Sequence, residues 1–481
     1  MSLLAELRGK RILILGFGRE GRSTLSFLRE RVPDASLGVA DRRTLEAMSS
    51  QERAALATLP SVQVILGPSY LDALGEFEAI VRAPGLPPDA PALEAARARG
   101  ARVTSLVNLF FDVAPGKIVG VTGTKGKSTT TSAIHAVLSD AGLDARLGGN
   151  IGIPLLSCLD NPTDDTTIFV VELSSFQLSD LERSPNIAVV QNVVREHLDY
   201  HGTFEKYVAA KANIVSHQGP GDVVVFNGGH EIPRALAARS PGTKLAFALE
   251  RAPDSSCYVE DGWLVHRAGG TETRIVSTED VSLPGAHNLL NVMPAIVVGR
   301  LLGVDASSIA ATLRTLRALP HRLQLIHEWR GRRFYNDSLS TVPEAAMAAL
   351  AAFKDRPTVL IAGGHDRGQA WDQLAGAILR QQTVKAVILL PETGPRLMAA
   401  LQKQAADLPS SSLPALLPAA TMPEAVRCAI EASQPGSAVL LSPAAASFGA
   451  FRDYEDRGNQ FRDAVLSACS AADGAPVRDG V

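Results

Sequence analysis

Residues Gly120 to Thr130 read Gly-Val-Thr-Gly-Thr-Lys-Gly-Lys-Ser-Thr-Thr. The chemistry they suit is phosphate binding. Glycines let backbone N–H groups converge on an anion, and a helix start adds its positive dipole end. Lys127 would reach terminal phosphates, and Ser128 would ligate Mg²⁺. One departure stands out: five residues, not the usual four, separate Gly120 from Gly126. A glycine turn capping an ordinary helix is the plain alternative. Further on, Glu172 closes an apolar run at a strand end, where a Mg²⁺ ligand belongs. His197 lies among acids and hydroxyls, which gives a metal or phosphate role weight against a structural one. Near the N-terminus, Gly16-Phe17-Gly18-Arg19-Glu20-Gly21 has the Gly-x-Gly-x-x-Gly spacing, with Asp41 about twenty residues on. That pattern suits a phosphorylated, ribose-bearing ligand. Arg42 and Arg43 are placed to meet phosphate or a base edge, or to be solvated charges at a strand end.

These residues need elements to hold them. Lys117-Ile118-Val119 reads as a strand before the glycine loop, and Ser132 to Leu138 as a helix after it. Arg11–Leu15 and Leu37–Ala40 are strands flanking the first glycine motif. Ala83-Pro84-Gly85-Leu86-Pro87-Pro88 is a rigid turn after the strand at Ala79–Val81. Thr167–Val171 and Ile187–Val190 are buried strands, and Leu147 to Pro154 is a glycine-rich loop centred on Asn150. Residues 252–279 read as hairpins. Asn288 and Asn291 share one face of a helix that follows a Pro-Gly turn, with capping by Asn288 as the plain alternative. On spacing, Lys211 reads as a surface lysine just past an apolar patch. Strands and helices alternate through the chain, so the fold class is α/β with parallel sheets. Three domains are expected: a Rossmann-like N-terminal domain over 1–106, a central P-loop ATPase-type domain over 107–319 and a Rossmann-like C-terminal domain over 320–481. The tail from Ala471 to Val481 reads as frayed.

Composition sets bounds. At 481 residues with 46% hydrophobic and 20% charged side chains, the chain can fill several cores. The formal net charge of −3 gives no general pull toward nucleic acid or an anionic membrane, and neither partner is expected. The four cysteines are scattered, with no Cys-x-x-Cys, which speaks against zinc and disulfide frameworks. The N-terminus lacks a basic segment followed by an apolar core, and no run suits a bilayer span. A cytoplasmic monomer is the expectation.

As a set, Gly123 to Ser128, Gly149-Asn150-Ile151-Gly152, Glu172-Leu173-Ser174-Ser175-Phe176-Gln177, His287 to Asn291, His321-Arg322 and Asn336-Asp337-Ser338 resemble the Mur ligases, ATP-dependent amide-forming enzymes of peptidoglycan synthesis. Ser442-Pro443-Ala444-Ala445-Ala446-Ser447 and Arg457-Gly458-Asn459 look most like the branch that adds glutamate to UDP-N-acetylmuramoyl-L-alanine. The resemblance spans nearly the whole chain. It implies ATP and Mg²⁺ as cofactors, and an acyl phosphate that an amine converts to an amide. Gly123, Thr124, Lys125, Gly126, Lys127, Ser128 and Thr129 would bind ATP, with Asn288, Asn291, Arg322 and Asp337. Ser128 and Glu172 would hold one Mg²⁺. His197 matches the ligand of a second, beside Lys211, which matches a lysine that the family carbamylates. Gly16, Asp41 and Arg43 would lie in reach of the uridine nucleotide. Asn150, Ser174 and Gln177 would contact the muramoyl substrate, and Thr341, Arg367, Ser447 and Tyr454 the glutamate.

A dehydrogenase reading, from the Gly16 motif alone, leaves Lys127, Glu172 and His197 unexplained. Two departures bear on the glutamate. Leu339 follows Asp337-Ser338 where the D-glutamate enzymes have lysine, and Arg367 replaces lysine in Gly363-Gly364-His365-Asp366-Arg367-Gly368. A changed cation layout suggests the mirror-related amino acid. L-glutamate is therefore the expectation, with D-glutamate the alternative.

Overall fold

The computed structural model describes residues 2–473 apart from 59–60, 318–319, 407–408 and 410–412. The boundary expected at Leu319 and most of the expected frayed tail lie outside the described residues. By contacts the chain divides into two compact units, 1–282 with 288–316 and 283–287 with 317–481.

The first unit carries two sheets. The N-terminal sheet is five-stranded and parallel, in the spatial order Gln63–Leu66, Ser36–Asp41, Arg11–Leu15, Ala79–Arg82, Arg102–Ser105. Arg11–Leu15 is flanked by one strand reached early and one reached late. Its carboxyl end is therefore the crevice where open α/β sheets bind ligands, and Gly16 sits there. The second sheet has nine strands, ordered Thr271–Ser277, Trp263–Ala268, Ser255–Glu260, Thr243–Phe247, Val223–Asn227, Ile187–Val190, Lys117–Thr122, Ile168–Glu172, Ala145–Gly149. The pairings at the Ser255–Glu260 end are antiparallel hairpins, as the sequence suggests, and the rest are parallel. Lys117–Thr122 is again a switch strand, between Ile168–Glu172 and Ile187–Val190. One apolar core runs beneath both sheets. The helix Leu106–Val113, begun by a Ser105 hydroxyl cap on Asn108 N–H, links them, with Phe110 edge-on to Phe169 at 5.2 Å.

The second unit carries a six-stranded sheet, ordered Gln324–Trp329, Arg332–Asn336, Ala438–Leu441, Thr358–Gly364, Val384–Glu392, Ala415–Pro418. Only the Gln324–Trp329 pairing is antiparallel. Thr358–Gly364 is buried along its whole length and is the switch strand here. Apolar clusters cover both faces of this sheet, which is why its strands read as continuous hydrophobic runs. The expected α/β class and its three parts are present. Among the described residues no helix is long and apolar enough to cross a membrane.

Candidate active site

The loop after Lys117–Thr122 is built on backbone freedom. Gly123 and Gly126 take φ of 156° and 85°, and Gly126 caps the helix Lys127–Asp140. A Cβ on Gly126 would land on Asn291 Oδ1, and one on Gly123 would come within 2.6 Å of Gln191 Cβ. Gly120 has a different task. A Cβ there would meet Pro185 at 2.7 Å, so it serves strand packing. The odd spacing in the sequence thus comes from counting a packing glycine as part of the loop. Lys127 Nζ donates to the carbonyls of Gly123 at 3.1 Å and Thr124 at 3.0 Å. Ser128 and Thr129 follow in the first helical turn. Thr124 is buried, with its hydroxyl 2.8 Å from Tyr207 Oη, and Lys125 pairs with Glu196 at 2.8 Å. Asn288 and Asn291 are buried and bonded to each other at 3.0 Å, beside Gly126. Sequence reasoning missed Gln191, whose amide donates to Thr130 Oγ1 at 2.8 Å and Leu290 O at 3.0 Å. Its place at a strand end was the available signal.

Lys211 corrects the surface reading. It is 1% exposed, on the helix Phe204–Ser216, and its Nζ donates to Gly123 O at 2.8 Å and Thr122 Oγ1 at 3.3 Å. The ammonium position lies 4.8 Å from the Tyr207 ring centre. Burial pushes its pKa well below the usual lysine value. The Lys127 charge adds to that, and Glu196 and Glu172 oppose it. Glu172 is buried too. Its Oε1 accepts from Asn150 Nδ2 at 2.9 Å, while Oε2 is buried with no hydrogen-bond partner. An orphaned carboxylate oxygen at the strand end next to the loop fits a divalent cation. Among the described residues no three His, Cys, Asp or Glu side chains cluster as a metal site, so such a cation would draw further oxygens from its ligand. His197 sits at φ 54°, in the left-handed region, with its ring 4.9 Å from Phe176 and its Nε2 3.9 Å from Glu196.

At the N-terminal sheet a cavity of about 330 Å³ opens beside Gly16, lined also by Glu20, Pro84, Asn150, Ser174 and Gln177. The structure therefore brings Gly16 together with Asn150, Ser174 and Gln177. Asp41 does not line it. Its carboxylate accepts from Phe17 N at 2.8 Å and is gripped by Arg43 at 2.9–3.0 Å. Burial raises the Asp41 pKa, but Arg43 and the Phe17 N–H outweigh it and hold the carboxyl below its usual range. Arg43 reaches on to Glu52 at 3.1 Å. Sequence reasoning also missed Arg82. It is fully buried, pairs with Asp180 at 2.6 Å and donates to the carbonyls of Ala83, Pro84 and Leu86, which fixes the cavity wall.

In the second unit, Asp337 is fully buried at the end of Arg332–Asn336. It accepts from Ser340 Oγ at 2.6 Å, Ser442 Oγ at 2.7 Å and Leu323 N at 3.1 Å. Burial lifts its pKa to about 6, against those hydrogen bonds and the charge of Arg322. Asn336 bonds His321 Nδ1 at 3.0 Å and so holds the turn that carries Arg322. Thr341 follows Ser340, which Asp337 holds. Arg457, on the helix Tyr454–Ala472, is fully buried and ties two loops together. It donates to Ser338 Oγ and O at 3.0 and 2.8 Å, and to Ala445 O and Ala446 O at 2.9 and 3.0 Å. Ser447 is buried next to them, and Tyr454 begins the helix. Arg367 lies over the Phe448 ring at 5.2 Å, and Arg396 pairs with Asp366 in the same loop.

The chain matches the Mur ligase MurD-like N-terminal domain over residues 10–105, the Mur ligase middle domain over 121–299 and the Mur ligase glutamate ligase domain over 321–445. It is 36% identical over 463 residues to UDP-N-acetylmuramoylalanine–D-glutamate ligase of Acetivibrio thermocellus, covering 96% of this chain and 97% of that one. It is 37% identical over 471 residues to the protein of the same name from Acidobacterium capsulatum, covering 97% and 98%. Among solved structures, the MurF ligase of Thermotoga maritima in complex with ADP superposes with a TM-score of 0.58 at 16% identity, over 98% of both chains. These relatives overturn the L-glutamate expectation, because they carry the D-glutamate name over their full length. The physical inference was too strong. Arg367 keeps a cation in its loop, so the loss of a lysine at position 339 does not empty the site of positive charge.

Proposed function

The chain belongs to the Mur ligase family, and on that premise we propose that it joins D-glutamate to UDP-N-acetylmuramoyl-L-alanine, with ATP converted to ADP and phosphate. The proposed working parts are 1–106 for the uridine nucleotide, 107–319 for ATP and 320–481 for the amino acid. The observation that carries the chemistry is one strand end where Lys127, buried Lys211 and the orphaned oxygen of Glu172 surround a glycine loop.

The substrate carboxylate attacks the γ-phosphorus of ATP. The bond to the β,γ-bridging oxygen breaks, leaving ADP and an acyl phosphate. The amine of D-glutamate then attacks the acyl carbon, phosphate departs with the C–O bonding pair, and the nitrogen loses its proton. Lys127 leaves its loop carbonyls to offset charge on the transferring group. Ser128 and Glu172 would hold one Mg²⁺, and His197 with Lys211 a second; such cations would supply positive charge to offset that of the phosphoryl oxygens. Lys211 fits that place only after its charge is reversed. Desolvation shifts its amine toward the neutral form, the form that adds CO₂ and sheds a proton to become a carbamate. Asn288, Asn291, Arg322 and Asp337 are proposed ATP contacts, and Asn150 and Ser174 contacts to the muramoyl substrate. Thr341, Arg367, Ser447 and Tyr454 are proposed to meet the glutamate. Initial rates with D- and L-glutamate at equal concentration test the reading. Clear preference for D-glutamate is expected, and an equal or faster rate with the L form would overturn it.

A further inference from the structure

Glu20 is the one acidic side chain among the described residues lining the cavity beside Gly16. It stands in the first turn of the helix Arg19–Arg31, where the helix dipole favours negative charge. Its Oε1 accepts from Gln177 Nε2 at 2.9 Å. The orientation of that amide is not arbitrary. Gln177 Oε1 accepts the backbone N–H of Ser174 at 3.0 Å and lies 3.1 Å from the Ser174 hydroxyl. A backbone N–H can only donate, so the amide oxygen must face Ser174 and the NH₂ must face Glu20. One Gln177 N–H therefore holds Glu20, which fixes the way this amide faces the cavity.

The arrangement is costly unless used. Burial raises the Glu20 pKa, with Gln177 and the charge of Arg82 opposing. The proposed occupant of the cavity, a nucleoside diphosphate sugar, is itself anionic. A carboxylate facing such a ligand is repelled unless the ligand offers it a hydrogen. We propose that the second carboxylate oxygen of Glu20 accepts a hydroxyl or amide hydrogen from the UDP-amino-sugar substrate, which makes Glu20 a specificity-determining residue oriented by Gln177 and Ser174. This inference rests on the ligase reading above.

Glu20→Gln separates acceptor from shape. The new amide must give its oxygen to Gln177 Nε2, so it turns an N–H toward the cavity where the carboxylate offered an acceptor. Titration calorimetry with UDP-N-acetylmuramoyl-L-alanine should show roughly 10- to 100-fold weaker binding for Glu20→Gln and for Glu20→Ala. ATP binding, measured on the same preparations, should stay unchanged and reports that the fold is intact. UDP alone tells the source of the hydrogen. A loss that persists with UDP assigns it to the nucleotide, and a loss seen only with the full substrate assigns it to the amino sugar or peptide. Wild-type affinity of Glu20→Gln for both ligands would overturn the inference and leave the ligase reading standing. A wild-type protein that bound neither ligand would overturn both.

Discussion

Lys211 in the first unit and Arg457 in the second are both cations with essentially no exposed surface, and the two sites treat the charge in opposite ways. Arg457 places its donors on Ser338 Oγ and three carbonyl oxygens. Burial lowers its pKa, opposed by Asp337, but only to about 9, so it stays charged at neutral pH. Lys211 has one carbonyl, one hydroxyl and an aromatic face, with Lys127 adding repulsion. A planar fork can share its charge among many oxygens, whereas a point charge with few acceptors is pushed toward its neutral form. A buried cation can therefore be a staple or a reactive amine, and its count of oxygen partners decides which.

Breaking the staple should have the largest effect. Arg457→Met removes the donors to Ser338 O and Ala445 O and leaves them buried. A loss of about 3–5 kcal/mol in urea unfolding is expected, by analogy with breaking a buried charge network. Arg457→Lys should recover only part, since an ammonium cannot span both loops. A stability of Arg457→Met within error of wild type would remove the distinction between the two cations.

The amine should matter to chemistry instead. Lys211→Ala is expected to cut turnover roughly 10²–10³-fold, the scale of losing one preorganised charge from a phosphoryl-transfer site. Short-chain carboxylates should restore part of that loss by standing in for a carbamate. Full activity in the variant would refute the assignment.

How much of this was readable beforehand differs by residue. The glycine loop was legible because glycine positions encode backbone conformation directly, although Gly120 misled the count. The burial of Lys211 was legible in principle. Tyr207, Lys211, Ile214 and Val215 form one helical stripe, and spacing of four and three places the lysine on its buried face. Reading it as the residue after an apolar patch ignored that period. Arg82 with Asp180, and Glu20 with Gln177, could not be read. Each pair is local in space but about 100 or more residues apart in sequence, and no local pattern records it. At Asp41 the motif spacing marked the position, but not its partners: Phe17 N–H and Arg43 engage the carboxylate.

The smallest effect sharpens the comparison most, because its sign is counterintuitive. A lysine with a depressed folded pKa stays neutral while the unfolded chain carries the proton. Between the two pKa values the unfolded state binds more protons, so stability rises with pH and the desolvated lysine weakens the fold at neutral pH. Lys211→Met removes that penalty at similar length. No acceptor is orphaned by the change: Lys127 still donates to Gly123 O at 3.1 Å, and the Thr122 hydroxyl still donates to Leu173 O at 2.8 Å. In bicarbonate-free buffer the variant should be inactive yet more stable than wild type at pH 7. The difference should shrink as pH rises toward the unfolded lysine value near 10, with a slope of at most about 1.4 kcal/mol per pH unit. Bicarbonate should then stabilise wild type and leave Lys211→Met unmoved, because only the lysine can take up CO₂. Urea unfolding at several pH values, with and without bicarbonate, measures all of this. A variant less stable than wild type at pH 7 would mean that the buried lysine is a staple after all, like Arg457.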